Sequence, residues 1–203
     1  KAYTDTAVIS ICRFSGEGWD RKSIVETENK NIWASEEEMA RRSAEIFEDG
    51  DFYLTHAEQE MVNTVKQNFA RVFVVMYVGG MVDTSWFHDD AQIQSVLMAW
   101  QGGMEGGLAT AELLAGEGNP SGKLSDTFAR ELNDYPSTYN FHESEKYVEY
   151  TDDIYVGYRY FETIPGAKEK VNYPFGFGLS YTQFVLGESQ ISIEEDQIRC
   201  MVS

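Results

Sequence analysis

Residues 15–21, SGEGWDR, contain the side chain with the clearest chemical potential in this sequence. Gly16 and Gly18 flank Glu17, and the missing Cβ atoms on either side permit positive φ and a close approach of the carboxylate to a ligand. A carboxyl group so placed can give or take a proton. Glu17 is nevertheless one of 34 acidic residues, and its type alone indicates a solvated loop carboxylate.

A second glycine-rich stretch, QGGMEGG at 101–107, leads into an alanine- and leucine-rich helix predicted over 108–115. The free N–H groups of a helix N-terminus can bind phosphate. Neither GxGxxG nor a P-loop pattern is present, however, and Glu105 would place a negative charge against the phosphate. Close packing of helix and strand is the favoured role of these glycines.

The composition excludes several classes of partner. Asp and Glu outnumber Lys and Arg by 34 to 16, and the net charge of −18 repels phosphate backbones and anionic lipid headgroups. No apolar run approaches the ~20 residues that span a bilayer. We therefore expect neither a nucleic acid nor a membrane as partner.

The cysteines and histidines predict no further chemistry. Cys12 and Cys200 are too few and too far apart for a disulfide framework, and Cys12 is interpreted as a small buried hydrophobe. His56, His88 and His142 are scattered without metal-ligand spacing. We expect no protein-bound metal and no cofactor.

Three apolar runs predict an α/β fold with a mainly parallel sheet covered by helices. Residues 7–12 are rich in β-branched side chains, which is typical of a strand buried on both faces of such a sheet. Residues 72–78 and 93–100 predict two more strands, although the third run also permits a buried helix. Ligands bind beyond the carboxyl ends of parallel strands, where residues 15–21 would lie.

Two helices are predicted between the first two strands. Thr55 and Glu58 form a capping-box pattern before an apolar face made of Met61, Val62, Val65 and Phe69. Residues 34–47, within the charged segment 22–51, form an amphipathic pattern behind Ser35. This segment is interpreted as a solvated surface insertion, with a rim beside the glycine loop as the alternative.

The last third of the chain is aromatic, with nine tyrosines between positions 126 and 181. Such a surface could stack on sugars, but the run YVGYRYF at 155–161 favours packing of an irregular segment. Residues 190–203 then alternate apolar and acidic side chains like the first hairpin of a β-rich module. We interpret the sequence as a fragment of a longer protein.

Four stretches at ordered positions carry a family resemblance: SGEGWDR at 15–21, SVLMAWQGGMEGGLATAELLAGEGNPSGKLSDTF at 95–128, DIYVGYRYF at 153–161 and YPFGFGLSYTQF at 173–184. Together they resemble the α/β-sandwich domain of family 3 glycoside hydrolases, the β-glucosidase and β-xylosidase group. The resemblance implies a three-layer sandwich over residues 1–184. It also implies that residues 185–203 begin a fibronectin-III-like domain.

The same resemblance implies a retaining exo-β-glycosidase, with β-glucosidase as the first expectation, in which Glu17 is the acid/base. The nucleophilic aspartate of the family lies on a separate (β/α)8 barrel, which is absent from this sequence and is therefore an expected partner. Trp19 is a candidate for stacking on a sugar. Asp20 and Arg21 are more typical of an ion pair that fixes the loop, with substrate contact as the second interpretation.

The sequence departs from the family pattern at Met104, where glutamine is usual, and at Ser125, where proline is usual. The long 22–51 segment leaves substrate size open. Alternatives are a non-catalytic carbohydrate-binding module, a flavodoxin-like nucleotide-binding domain, and β-xylosidase or β-N-acetylhexosaminidase specificity. A homo-oligomer, the order of barrel and sandwich, and a cytoplasmic or secreted location also stay open.

Overall fold

The computed structural model describes residues 3–15, 45–140, 144 and 146–202. Strands and helices alternate over the first half of these residues, and shorter elements follow. In chain order they are β1 (Thr6–Arg13), α1 (His56–Asn68), β2 (Arg71–Val78), α2 (Ser85–His88), β3 (Ile93–Met98), α3 (Gly106–Ala115), β4 (Phe128–Ala129), α4 (Tyr158–Thr163), β5 (Val171–Tyr173), β6 (Ser189–Glu194) and β7 (Gln197–Val202). Short 3-10 helices span Leu132–Asp134, Pro136–Tyr139, Asp153–Tyr155 and Ala167–Lys170.

The three long strands form a parallel sheet in the order β1-β2-β3. Ile11 lies opposite Met76, and Met76 lies opposite Met98, so the carboxyl ends of the strands are aligned at one edge. Parallel neighbours need a crossover connection, and α1 lies within the connection from β1 to β2. The predicted α/β class is confirmed, and the third apolar run is a strand rather than a buried helix.

One face of this sheet forms the main hydrophobic core. Ile9 and Ile11 of β1 share that face with Val74, Met76 and Val78 of β2, and all five are buried. Side chains from the connecting segments complete the cluster: Val62, Val82, Phe87 and Phe128. The core therefore joins α1, α2 and β4 to the sheet.

The opposite face of β1 is open, which corrects the expectation of a strand buried on both faces. Val8 is 54% exposed, and Ser10 and Cys12 are exposed as well. Within the described part of the chain β1 is an edge strand, whereas the central strand β2 keeps Val75 buried on that same face. Cys12 is consequently an exposed thiol and not the buried hydrophobe that its apolar neighbours predicted.

The capping box that begins α1 is confirmed. The Thr55 hydroxyl accepts a hydrogen bond from Glu58 N at 3.2 Å, and Glu58 Oε2 accepts one from Thr55 N at 2.9 Å. Val62 is buried and Val65 packs against the core, whereas Met61, predicted on the same apolar face, is 39% exposed.

The aromatic segment packs on the domain around Tyr135. Its hydroxyl accepts a hydrogen bond from Ala129 N at 2.9 Å and donates one to Thr127 O at 3.2 Å. Tyr158 stacks on Phe175 with 4.2 Å between ring centroids. These contacts support the packing interpretation for the buried part of the segment, while other tyrosines are exposed: Tyr139, Tyr147, Tyr150, Tyr155 and Tyr181.

The predicted hairpin near the end of the chain is present. β6 and β7 pair antiparallel, with Ile193 opposite Ile198, and every residue of both strands is exposed. Most of the helix predicted over 34–47 lies outside the described residues. No helix in the described ranges is long and apolar enough to cross a membrane.

Replacing Thr55 by alanine should lower the free energy of unfolding by about 1 kcal/mol, because the Glu58 N–H loses its capping acceptor. Urea denaturation measures this. The matched control is Thr64→Ala on the exposed side of the same helix, where alanine's higher helix propensity predicts no loss. An equal loss in both variants would contradict the capping role.

Candidate functional site

The carboxyl ends of all three parallel strands meet at Ser15. Gly79 N, just after β2, donates to Arg13 O at 2.9 Å, and the Ser15 hydroxyl donates back to Gly79 O at 3.0 Å. Gln101 Nε2, beyond β3, donates to Ser15 O at 2.9 Å. The residue that leads into the predicted acidic loop is thus held by the segments that follow β2 and β3.

This close approach depends on Gly79 having no side chain. A Cβ at this position would lie 2.9 Å from Ser15 N and 2.8 Å from Gln101 Nε2. Contacts below 3.0 Å do not occur for real Cβ atoms. Any larger residue at position 79 would therefore push Ser15 away from the end of β2.

Trp100 supports the third strand end with an unusual backbone. Its φ of 52° lies in the left-handed region, which costs a non-glycine residue about 1–3 kcal/mol. Two contacts hold it there: its N–H donates to Met76 O at 3.2 Å, and its ring packs 6.2 Å from that of Phe128. The resulting turn brings Gln101 back over the sheet edge.

Arg13, the last residue of β1, is a buried cation with all of its donor nitrogens engaged. Nε donates to Asp51 O at 2.9 Å, and Nη2 donates to Tyr53 O at 2.9 Å. Nη1 and Nη2 form a bidentate pair with Glu58 at 2.8 and 2.6 Å. The Phe47 ring lies 4.6 Å from the guanidinium carbon. Arg13 thereby joins the end of β1 to the segment before α1 and to the first turn of α1.

Glu58 has two roles in this arrangement, as counter-ion of Arg13 and as capping residue of α1. Burial raises the pKa of Glu58, but the hydrogen bonds from the Arg13 guanidinium and from Thr55 N–H outweigh it. The pKa of Glu58 therefore lies below its ordinary value of 4.5, and the group is an anion at neutral pH. It is a structural carboxylate and not a proton donor.

Residues 1–181 match the model of the glycosyl hydrolase family 3 C-terminal domain. The chain belongs to this family. Beta-glucosidase A of Butyrivibrio fibrisolvens is 66% identical over 185 residues, which make up 91% of this chain and 22% of that protein. A beta-glucosidase of Ruminococcus albus is 46% identical over 135 residues, 66% of this chain and 14% of that protein.

Solved structures share the fold. A beta-glucosidase from Paenibacillus barengoltzii superposes with a TM-score of 0.76 at 37% identity, covering 98% of this chain and 19% of that one. Beta-glucosidase 3B from Thermotoga neapolitana, in complex with glucose, gives 0.74 at 35% identity, covering 98% and 25%. This family 3 chain thus spans a quarter or less of the length of these relatives.

Glu17, Trp19, Asp20 and Arg21 lie outside the described residues of this family 3 domain, so their roles stay predictions. The structure does place Ser15, which immediately precedes the glycine-flanked loop, at the expected edge of the sheet. The sequence analysis does not predict that Gly79 or the Gln101 side chain holds Ser15, although Gln101 lies in the second glycine-rich stretch.

Among the described residues, the helix–strand packing expected of the second glycine-rich stretch is not seen at the glycines that begin α3. A Cβ on Gly102 would lie 2.8 Å from Gly106 Cα, whereas one on Gly106 or Gly107 would meet no outside atom within 4 Å. The tight contact is internal to the turn that enters α3. Glu105 occupies the N-cap of α3, is exposed and makes no side-chain capping bond, so an acidic residue stands at this helix N-terminus.

Sequence reasoning overlooks Arg13 and Gln101 for different reasons. An arginine at the end of an apolar strand predicts a nearby carboxylate that balances its charge. Glu58, already recognised in the capping box, was the candidate for this role. Gln101 gives no comparable signal, because its partner is a backbone carbonyl 86 residues away.

Glu58→Gln should lower the free energy of unfolding by about 2–3 kcal/mol at pH 7, because the buried Arg13 loses its counter-ion. The pKa of Glu58 is lowered in the folded state, so its stabilisation is full above about pH 4.5 and is lost as the pH falls through the lower folded pKa. The gap between wild type and variant should therefore shrink below about pH 4.5.

Urea denaturation from pH 3 to pH 7 measures that gap. Glu60→Gln, an exposed carboxylate on the same helix, is the control and should show little change at any pH. A gap for Glu58→Gln that is constant over this range would contradict the ion pair.

Proposed function

We propose that this chain is a segment of a retaining exo-β-glucosidase that hydrolyses terminal non-reducing β-D-glucosyl residues, with Glu17 as its acid/base. The observation behind this proposal is that Ser15, the first residue of SGEGWDR, is held by hydrogen bonds at the carboxyl edge of the parallel sheet. Ligands bind at this edge in open α/β folds. Family membership and relatives named β-glucosidase support the reaction class.

The chemistry needs two carboxyl groups with different roles. In retaining glycosidases one attacks the anomeric carbon, while the other, about 5–5.5 Å away, protonates the departing oxygen and later deprotonates the incoming water. Glu17 has the residue type for the second role, and the flanking glycines allow its carboxyl group to come close to the glycosidic oxygen. A general acid must keep its proton near neutral pH, which desolvation or a neighbouring anion favours.

The nucleophile is proposed to be an aspartate on a (β/α)8 barrel elsewhere in the full-length protein. The chain covers only 22% of the relative that is 66% identical. A full-length protein of the same size as that relative would therefore have enough further residues to form a barrel. Closure of the barrel over the loop would exclude water from Glu17. Each domain then supplies one of the two carboxyl groups.

The other loop residues are proposed to prepare the site for this proton transfer. Trp19 offers an aromatic face on which a sugar ring can stack. Asp20 and Arg21 are neighbours of opposite charge, suited to an ion pair that fixes the loop, with substrate contact as their alternative role.

Two domains are proposed within the chain. Residues 1–184 are assigned to the sandwich domain and residues 185–203 to the start of a fibronectin-III-like domain. The family match, which ends at residue 181, and the hairpin of Ser189–Glu194 with Gln197–Val202 support this boundary.

Glucose is the proposed sugar. The relatives compared above are named β-glucosidases, and one is bound to glucose. β-Xylosides and N-acetyl-β-hexosaminides are expected to be the poorer substrates. A sugar-binding module built only on aromatic residues is less well supported, because Tyr135, Tyr158 and Phe161 are engaged in packing.

Glu17→Ala in the full-length protein should lower kcat/KM for phenyl β-glucoside by about 10²–10⁴, because a poor leaving group needs protonation. 2,4-Dinitrophenyl β-glucoside should lose far less in its glycosylation step. Added azide should restore turnover and yield β-glucosyl azide, since a small anion can occupy the space of the deleted carboxylate. Steady-state kinetics and product NMR measure both effects.

Glu105→Ala is the matched control, since it removes an exposed carboxylate from the other glycine-rich stretch. It should not lower kcat/KM for one glucoside more than for the other. If Glu17→Ala lowers both rates equally and azide has no effect, the acid/base lies elsewhere.

Residues 1–203 expressed alone should not hydrolyse aryl β-glucosides, because half of the carboxyl pair is missing. The same assay on the full-length protein at equal concentration is the control. Turnover by the isolated segment that persists through purification would disprove the division of the site between domains.

A further inference from the structure

The Gln101 side chain connects two strand ends that are far apart in the sequence. Its Nε2 donates to Ser15 O at 2.9 Å, across 86 residues of chain. Gln101 is itself exposed and lies outside the hydrophobic core. Its one hydrogen bond among the described residues is therefore directed at the backbone of Ser15, two residues beyond β1, rather than at the core.

The acceptor of this hydrogen bond is the oxygen of the peptide that joins Ser15 to Gly16. A peptide unit is planar, so holding its oxygen also fixes the direction of the N–H of the next residue. Gly16 is free to adopt many backbone conformations, and Glu17 follows it directly. The orientation of this peptide therefore sets the direction in which the chain leaves Ser15 toward the glycine-flanked loop.

Two neighbouring features keep the Gln101 side chain within hydrogen-bonding distance of Ser15. Gly79 leaves the space in which they meet, because a Cβ there would lie 2.8 Å from Gln101 Nε2 and 2.9 Å from Ser15 N. Trp100 adopts its left-handed φ of 52° immediately before Gln101 and is anchored to Met76 O. We call Ser15, Gly79 and Gln101 the Ser15 anchor.

We infer that Gln101 is a positioning residue of the proposed glycosidase, which aligns the loop carrying Glu17 for proton donation by holding the Ser15–Gly16 peptide. This inference rests on the proposed function. Gln101 acts through the backbone and does not itself touch the substrate. Loss of its hydrogen bond should therefore slow the hydrolysis of glucosides whose leaving group needs protonation. Glucosides whose leaving group departs without protonation should be little affected.

The test uses three variants of the full-length protein. Gln101→Met keeps the length of the side chain but removes the donor, and Gln101→Lys restores a donor of sufficient reach. Gln94→Met makes the same change at an exposed position on β3, away from the carboxyl edge. Each is assayed with phenyl and 2,4-dinitrophenyl β-glucosides, and thermal unfolding is recorded in parallel.

Gln101→Met should lower kcat/KM for the phenyl glucoside by about 10- to 100-fold, the cost of misplacing a catalytic group by about 1 Å. The dinitrophenyl glucoside should change by less than about twofold, because it needs little protonation. Gln101→Lys should recover much of the loss, and Gln94→Met should behave as wild type. Thermal unfolding should stay close to wild type in all three.

The positioning role is overturned if Gln101→Met affects both substrates equally or neither, while Glu17→Ala still shows leaving-group selectivity and azide rescue. If Glu17→Ala lacks both signatures, the proposed function fails and the positioning role fails with it. The two failures are therefore distinguished by the Glu17→Ala result.

Discussion

The architecture of this edge of the domain depends on a buried charge at Arg13. A guanidinium removed from water costs several kcal/mol unless its donors and its charge are matched. Asp51 O, Tyr53 O and both Glu58 oxygens provide that match, so they must all lie close to the last residue of β1. The requirement fixes the entry of α1 against the sheet and leaves the residue two positions later, Ser15, at the strand end.

Ser15 then joins the same edge through weaker but more directional contacts. Its hydroxyl and carbonyl bond to Gly79 and Gln101, which follow the ends of β2 and β3. An acid/base residue needs an anchored backbone nearby and enough local freedom for its carboxyl group to approach the substrate. The hydrogen-bonded Ser15 provides the first, and the glycines beside Glu17 provide the second. The proposed barrel would supply the water-excluding environment.

Much of this fold follows from the sequence. Apolar runs predict all three parallel strands, and the spacing of Thr55 and Glu58 predicts the cap of α1, because these signals are local. The open face of β1 is not predictable in the same way, since an apolar run interrupted only by Ser10 does not reveal that Val8 and Cys12 point outward from an edge strand. The Ser15 anchor is equally hidden, because a glutamine gives no sign of a backbone partner 86 residues away. Glu17 stands out only through the family pattern, since one carboxylate among 34 has no intrinsic mark.

The most direct test of the account is an experimental structure of the full-length protein with glucose bound. We predict that the Glu17 carboxyl group faces the anomeric oxygen and lies about 5–5.5 Å from a second carboxylate on the opposite side of the sugar. Ser15 should keep its hydrogen bonds to Gly79 and Gln101 in that complex. A Glu17 side chain directed away from the sugar, with another carboxylic acid beside the anomeric oxygen, would contradict the central claim.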